Sequence, residues 1–143
     1  MTTIKDDGGR EAAGYHGTTS DCAVRAIAIA TGKSYQEVYD AINAIGATER
    51  RTKRKTGVSN ARTGVYPQCV RRYMASIGWQ WTPTMFIGSG CKVHLKPEEL
   101  PLGRLVVNVS KHYTAVIDGV LHDLYDCSRN GTRCVYGYFS QVS

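Results

Sequence analysis

The spacing of apolar residues changes at Trp79, and this change limits the possible folds more than any other feature of the sequence. Before Trp79, apolar residues recur every three or four positions, as they do in helices that bury one face. After it, short segments rich in β-branched and aromatic residues are separated by turn residues, which is typical of strands. Helices followed by strands indicate an α+β fold with a C-terminal antiparallel sheet.

The segment TTSDCAVRAIAIATG predicts a buried helix. Every position from 23 to 30 is apolar except Arg25, and a helix that is apolar all round is normally buried. Ser20 and Asp21 are N-cap residue types, and Gly32 suits the C-terminal end. A buried strand is the competing interpretation, but the alanines and the capping residues favour a helix.

Two further helices are predicted to pack on the sheet. The first, SYQEVYDAINAIG at 34–46, begins with a capping box formed by Ser34 and Glu37. The second, VYPQCVRRYMASIG at 65–78, has a proline in its first turn. Residues 47–64 between them have no apolar period and many helix breakers, which predicts a long exposed loop.

Four strands are predicted, over 105–109, 112–117, 120–125 and 133–139. The Asp-Gly pair at 118–119 suits a two-residue type I′ turn between the second and third of them. That turn sets a register in which Thr114 lies opposite Asp123, and it puts Asp123 on the same face as His112.

The chain of 143 residues, with 42% hydrophobic and 21% charged residues, has the composition of an ordinary domain. Residues 1–14 are polar and glycine-rich and predict a flexible N-terminal arm, which leaves 15–143 as a single domain. No apolar run approaches the roughly 20 residues that span a bilayer. The N-terminus also lacks the pattern of a secretory signal, so we expect no membrane partner and a cytoplasmic location.

The net charge of +6 is concentrated in ERRTKRK at 49–55, where five basic residues and one acid contribute +4. Such a run is most often a solvated loop. We therefore expect no nucleic-acid partner, with phosphate contact through this basic loop as the alternative.

The five cysteines form an odd set without a Cys-x-x-Cys pair, which argues against a disulfide framework and predicts at least one free thiol. The residues that could be assembled into a zinc site are Cys91, His94, His122, Cys127 and Cys134. Their spacing matches no familiar zinc motif, so we expect packing residues and no metal. No glycine loop has the lysine and helix that cradle phosphates, and no cofactor is expected.

The residues with the clearest chemical potential are Cys22 and His112. Cys22 lies at the predicted start of the buried helix, where free N–H groups and the helix dipole favour a thiolate. His112 begins a strand, and acids follow on the returning strand of the hairpin. Thiolate, imidazole and carboxylate are the parts that cysteine acyl-transfer chemistry requires. An inert buried cysteine is the other interpretation of Cys22.

The segments SDCAVRAIAIATG and KHYTAVIDGVLHDLYDCS resemble the papain-like cysteine peptidase superfamily. They are most similar to its compact bacterial members, such as the bacteriocin-processing peptidase domains, with D-C-G at a helix start, an H-[FY]-x-V strand and a later D-P. Small phage and bacterial proteins of unassigned function with the same D-C and H-x-x-A-V-I-D-G segments resemble the chain as well. The resemblance covers residues 16–32 and 104–139. It implies a papain-like fold and a thiol peptidase or amidase.

The resemblance implies that Cys22 is the nucleophile, His112 the general base, and Asp126 the acid that orients the ring. Asp126 falls where the family has Asp-Pro, whereas the turn register makes Asp123 the alternative acid. His16 stands six residues before Cys22, where the family usually has the glutamine of the oxyanion hole. An imidazole N–H could donate there together with the backbone N–H of Cys22.

Two functions follow from these patterns. The first is a hydrolase that attacks an amide, isopeptide or thioester carbonyl of a peptide or protein substrate. The second is a catalytically inactive papain-like binding or regulatory module of a phage or mobile element, which contacts a partner such as nucleic acid through the basic loop. The sequence leaves both open, since activity depends on a site and not on a fold.

Overall fold

The computed structural model describes residues 1–16, 20–49 and 57–142, in which three helices pack on a six-stranded sheet. The α+β class is therefore as predicted. The helices are α1 Cys22–Thr31, α2 Tyr35–Gly46 and α3 Pro67–Ser76, with a 3-10 helix at Pro97–Glu99. The strands are β1 Thr3–Lys5, β2 Trp79–Pro83, β3 Arg104–Val109, β4 His112–Ile117, β5 Val120–Asp123 and β6 Val135–Gln141.

The sheet is mixed, with the strand order β1-β5-β4-β3-β6-β2. Its neighbours pair antiparallel apart from β1, which runs parallel to β5. This corrects the expectation that residues 1–14 form a flexible arm. The segment has little apolar surface, but the open edge of β5 offers backbone hydrogen-bond partners, and Thr3, Ile4 and Lys5 pair with them.

The β4–β5 hairpin has the predicted turn and register. Asp118 and Gly119 have φ angles of 49° and 78°, and two successive positive φ values are the mark of a type I′ turn. Ile117 pairs with Val120 across the turn, and the ladder continues to Ala115 and His122. This register decides which side chains of β5 can face His112.

Helix α1 packs against β4 and against α2. It ends where Gly32 adopts a left-handed conformation, with φ 76°, and donates its N–H to the carbonyl of Ala28. Ser34 caps α2 by accepting a hydrogen bond from the N–H of Glu37. Asp21 occupies the N-cap position of α1 without making a side-chain cap, because its carboxylate is engaged elsewhere.

Two apolar clusters cover the two faces of the sheet. The helices close one face with a cluster that includes Ile27, Val38, Val70, Val106 and Phe139. The segment around the 3-10 helix closes the other with a cluster that includes Leu95, Leu105, Val107, Val116 and Leu121. Alternation along β3 sends its neighbouring residues into different clusters, as a sheet buried on both faces requires. Within the described ranges, no helix has the length and apolarity needed to cross a membrane.

The predicted exposed loop at 47–64 is partly buried. Ser59 is 2% exposed and Ala61 fully buried, and the Glu49 carboxylate accepts hydrogen bonds from the backbone N–H and the hydroxyl of Ser59. These contacts, together with an Asn60–Gly64 bridge, fold the end of the segment back on the domain. The basic residues of the run at 50–55 lie outside the described residues.

Cys91 and Cys134 form a disulfide, which corrects the expectation that these cysteines only pack. The bond becomes possible because the chain around His94 pairs with Cys134 in an isolated antiparallel bridge. That bridge brings the two Cα atoms to 5.8 Å, within the range that disulfides need. Cys22, Cys69 and Cys127 are not in a disulfide, as the odd count requires of at least one cysteine.

Candidate active site

Cys22 is the first residue of α1 and faces a cleft of about 360 Å³. Its side chain is half-buried, whereas Cys69 and Cys127, the other cysteines outside the disulfide, are buried. The cleft runs between the start of α1, the start of α3 and the β3–β4 turn. Its lining includes Ala23, Val65, Asn108, Lys111, His112 and Tyr136. Cys22 is therefore a thiol that a small molecule or an extended chain can reach.

His112, the first residue of β4, interacts with the Cys22 thiol. Burial raises the pKa of Cys22, but a hydrogen bond from His112, a second from the backbone N–H of Tyr113 and the charge of His112 outweigh it. The net pKa of the thiol lies below its ordinary value of 9.0. The thiol is therefore inclined to ionise beside the imidazole, as in cysteine nucleophiles.

The imidazole is held in its protonated form. Burial by itself would lower the pKa of His112, but hydrogen bonds with Asp123, Cys127 and Cys22 outweigh burial and raise it to about 11. The pKa of Cys22 is lowered and that of His112 is raised, and both shifts favour a thiolate–imidazolium pair over two neutral groups.

Asp123 is the acid that contacts the ring. Its Oδ2 lies 2.7 Å from Nε2 of His112, and both side chains are buried. Burial raises the pKa of Asp123, but the bond to His112 leads a set of contacts that leave the pKa below its ordinary value. His112 thus has hydrogen bonds both to the Cys22 thiol and to the Asp123 carboxylate.

Asp126, the acid that the resemblance favoured, does not approach the ring. Its carboxylate accepts hydrogen bonds from the N-terminal ammonium at 3.1 Å and from the backbone and hydroxyl of Ser128. The structure corrects the expectation that Asp126 orients His112. The reason is the hairpin register, which leaves Asp123 on the His112 side while the chain turns away after it.

His16 also lies away from the position expected of it. Its side chain is exposed and lines a separate cavity of about 530 Å³ with Lys5, Arg10 and Tyr15. Its backbone carbonyl accepts a hydrogen bond from Arg62 at 2.8 Å. His16 is not among the residues that line the Cys22 cleft, so its expected place in the oxyanion hole is corrected as well.

Asn108 stands in that cleft on β3, where it pairs with Tyr113 across the sheet. Its place in the cleft could not be predicted from the sequence, because an asparagine in the middle of a predicted strand carries no signal of its own. Its amide can donate hydrogen bonds, and so can the first backbone N–H groups of α1, which have no acceptor within the helix. The cleft therefore holds hydrogen-bond donors although His16 lies elsewhere.

Arg25 ties the acid to the start of the helix. Its guanidinium donates to Asp21 at 2.9 Å and to Asp123 at 3.3 Å, and the Tyr35 hydroxyl donates to Asp21 at 2.6 Å. These side chains are buried. Arg25 was visible in the sequence as the exception in an apolar helix, and burial of an arginine calls for carboxylate partners. The sequence could not say which carboxylates those were.

Cys127 is the third group around the His112–Asp123 pair. Its thiol donates to Asp123 at 3.6 Å, and donor atoms of His112, Asp123 and Cys127 all lie within 4.8 Å of one another. Such a set could ligate a metal of the zinc type. A metal would have to displace the proton that Asp123 holds on His112, so the proton-bound arrangement competes with a metal-bound one.

Comparison of the chain with protein-family models, with curated proteins and with solved structures finds no match. The papain-like relationship stays a prediction, and the function is argued from the site alone.

Proposed function

We propose that the chain is a thiol-dependent hydrolase, of the peptidase or amidase kind, with Cys22 as nucleophile, His112 as its acid–base partner and Asp123 as the orienting acid. The observation that carries the proposal is the position of the His112 ring. It has a hydrogen bond to the thiol of the half-buried Cys22 and lies 2.7 Å from the buried carboxylate of Asp123. A cysteine that merely packs has no need of this arrangement.

In the proposed reaction, the Cys22 thiolate attacks the carbonyl carbon of an amide, isopeptide or thioester. A carbon–sulfur bond forms while the carbonyl π pair moves to oxygen. The oxyanion then collapses, the bond to the leaving group breaks, and the proton on His112 passes to that group. Water attacks the resulting thioester while the ring takes its proton, which restores the thiolate and releases an acid.

The oxyanion is assigned to the N-terminus of α1 and to Asn108. The backbone N–H of Cys22 is one donor, and the Asn108 amide takes the role that the resemblance gave to His16. Ala23, which stands where the family commonly has glycine, also lines the cleft. Its methyl group narrows the approach to the thiol, which favours an extended or small acyl group beside the bond that is cut.

The papain-like architecture belongs to the same proposal. Three features support it: a cysteine in the first turn of a buried helix, a histidine at the start of a strand packed on that helix, and an acid on the next strand. The parallel strand β1 at the sheet edge is a feature of this chain that the proposal has to accommodate.

The test is the rate at which Cys22 reacts with iodoacetamide at pH 6, followed by mass spectrometry of its peptide. An ordinary thiol is about 0.3% ionised at this pH. A thiolate kept by His112 should therefore react roughly 10- to 100-fold faster, after allowance for its lower nucleophilicity. The reference is the labelling rate of Cys69 at the same pH in protein that has been unfolded with guanidinium, where this thiol is accessible.

The His112→Ala variant should lose this advantage while keeping the cooperative unfolding of the wild type. Equally slow labelling of Cys22 in wild type and variant would reject the hydrolase. That result would favour the binding module, in which the cleft and the basic loop hold a partner without reaction.

A further inference from the structure

The Cys22 cleft carries one positive charge that the proposed reaction does not use. Among the described residues that line it, Lys111 and His112 are the cationic side chains, and no aspartate or glutamate is present. The thiolate of Cys22 balances His112. Lys111 is exposed and forms no ion pair with a carboxylate of the described chain, so its charge is available to a ligand in the cleft.

Lys111 also has an unusual backbone. It is the second residue of the two-residue turn that joins Val109 of β3 to His112 of β4, and its φ angle is 56°. Glycine and asparagine are the residue types that adopt this conformation at low cost, whereas a lysine there costs on the order of 1 kcal/mol. A residue kept at such a cost next to the proposed acid–base histidine is a candidate for a functional role.

In the part of the chain that the structure describes, the charged groups around the cleft are engaged with partners other than this lysine. Asp123, the acid behind His112, is shared by that ring and by Arg25. Arg71, which lies over the Trp81 ring, adds positive potential that reaches Tyr113 in the cleft wall. Since the described lining of the cleft holds no carboxylate, the charge of Lys111 leaves the mouth of the cleft positive.

We propose that the cleft takes substrates that carry a carboxylate beside the carbonyl under attack, and that Lys111 is the specificity-determining residue that holds this carboxylate. The inference rests on the proposed function, because it assigns a substrate class to the Cys22 cleft. It adds selectivity among substrates, because Cys22, His112 and Asp123 alone would act on any carbonyl that reaches them.

The test compares two alkylating agents of nearly equal size, the anion iodoacetate and neutral iodoacetamide, at pH 7 and low ionic strength. In both reactions the Cys22 sulfur attacks the CH₂ carbon, a carbon–sulfur bond forms, and iodide leaves with the electron pair. The ratio of the two rate constants cancels changes in the nucleophile itself. It therefore reports the charge that surrounds the incoming carboxylate.

The iodoacetate-to-iodoacetamide ratio should fall by roughly 3-fold in Lys111→Gln and roughly 10-fold in Lys111→Glu, as expected for a charge several ångströms away. Lys33→Gln and Lys33→Glu are the matched controls, because Lys33 follows the far end of α1, about 15 Å from Cys22. Both should leave the ratio unchanged. Added salt should reduce the wild-type ratio.

A second measurement addresses the substrate itself. N-acetylglycine should protect Cys22 from iodoacetamide at lower concentration than N-acetylglycinamide does, and Lys111→Gln should abolish the difference. Equal protection by the two, or a ratio unaffected by both Lys111 substitutions, would overturn the carboxylate assignment. The ratio can be measured even if Cys22 reacts slowly, so slow labelling by both agents counts against the hydrolase and not against the charge of the cleft.

Discussion

The imidazole of His112 and the carboxylate of Asp123 lie 2.7 Å apart, eleven residues from each other along the chain. The type I′ turn at 118–119 produces this meeting, because it fixes the pairing of β4 with β5 and returns the chain to the level of His112. The acid of the candidate triad is thus set by a hairpin, a local structure. Cys22 reaches the ring only through the packing of α1 against β4.

Substitution of Asp123 and of Asp126, one at a time, shows which of the two carboxylates orients His112. Asp123→Asn should slow the alkylation of Cys22 at pH 6 by about 10-fold or more, because a carboxylate one hydrogen bond away no longer stabilises the imidazolium. Asp126→Asn should leave the rate within about 2-fold of wild type, since that side chain contacts the N-terminus and Ser128. The reverse order of effects would return the role to Asp126. Thermal unfolding of both variants controls for loss of the fold.

The pH dependence of Cys22 labelling follows from the direction of its pKa shift. The pKa of the thiol is lowered, so the pH at which its reactivity falls to half should lie below 9.0. In His112→Ala, burial still raises the pKa of Cys22, whereas the hydrogen bond and the charge of His112 that lower it are lost. The profile should therefore move to higher pH. Rates measured from pH 4 to 10 check this. Superimposable profiles would contradict the ion pair.

Hydrolysis, once a substrate is found, should depend on pH in two limbs. The acid limb reports protonation of Cys22, and the alkaline limb should lie near the raised pKa of His112, about 11, above which the leaving group loses its proton donor. A rate that rises with pH and does not fall between pH 9 and pH 12 would mean that the imidazolium donates no proton.

The buried network around Arg25 should be costly to break. Arg25→Met removes the guanidinium that joins the buried carboxylates of Asp21 and Asp123, and breaking a buried pair costs up to about 3 to 5 kcal/mol. Each carboxylate keeps one cationic neighbour, Arg10 for Asp21 and His112 for Asp123, so the loss should lie near the lower end of that range. Lys33→Gln, which breaks an exposed pair with Glu37 at 3.3 Å, should cost less than about 1 kcal/mol. Urea unfolding measures both. Equal losses of unfolding free energy in the two variants would show that the buried Arg25 network stabilises the fold no more than an exposed ion pair does.

Gly46 should resist substitution although alanine favours helices. Alanine in place of glycine in a helix gains about 1 kcal/mol. A Cβ at Gly46, however, would overlap the backbone carbonyl of Ser59, and overpacking against a part that cannot move costs about 1 to 3 kcal/mol. Gly46→Ala should therefore be destabilising in urea unfolding. Gly57→Ala, with open space around it, is the control and should stay within about 0.5 kcal/mol.

The number of thiols before and after reduction tests the disulfide directly. Protein purified without reductant and unfolded in guanidinium should show three reactive thiols, those of Cys22, Cys69 and Cys127, and five after reduction. Cys91→Ser should lower the free energy of unfolding by about 2 to 4 kcal/mol, because the bridge closes a long loop. Five thiols before reduction would show that the bond is not formed under those conditions.

The sequence by itself determined the local elements: a buried helix that begins at Cys22, a capped helix after Ser34, and a hairpin with its register. These are decided by periodicity, capping residues and turn chemistry, which act over a few residues. The pairing of Cys22 with His112 could be anticipated only from short motifs.

Tertiary structure decided the rest. The arm became strand β1 because the β5 edge had unpaired backbone groups to offer. Cys91 met Cys134 because two distant segments share a bridge, and His16 was carried to another cavity. Each of these outcomes depends on contacts between residues far apart in the chain, which exist only once the sheet has formed. Periodicity says which face of an element is buried, whereas the neighbour that buries it is chosen by the packing of the whole chain.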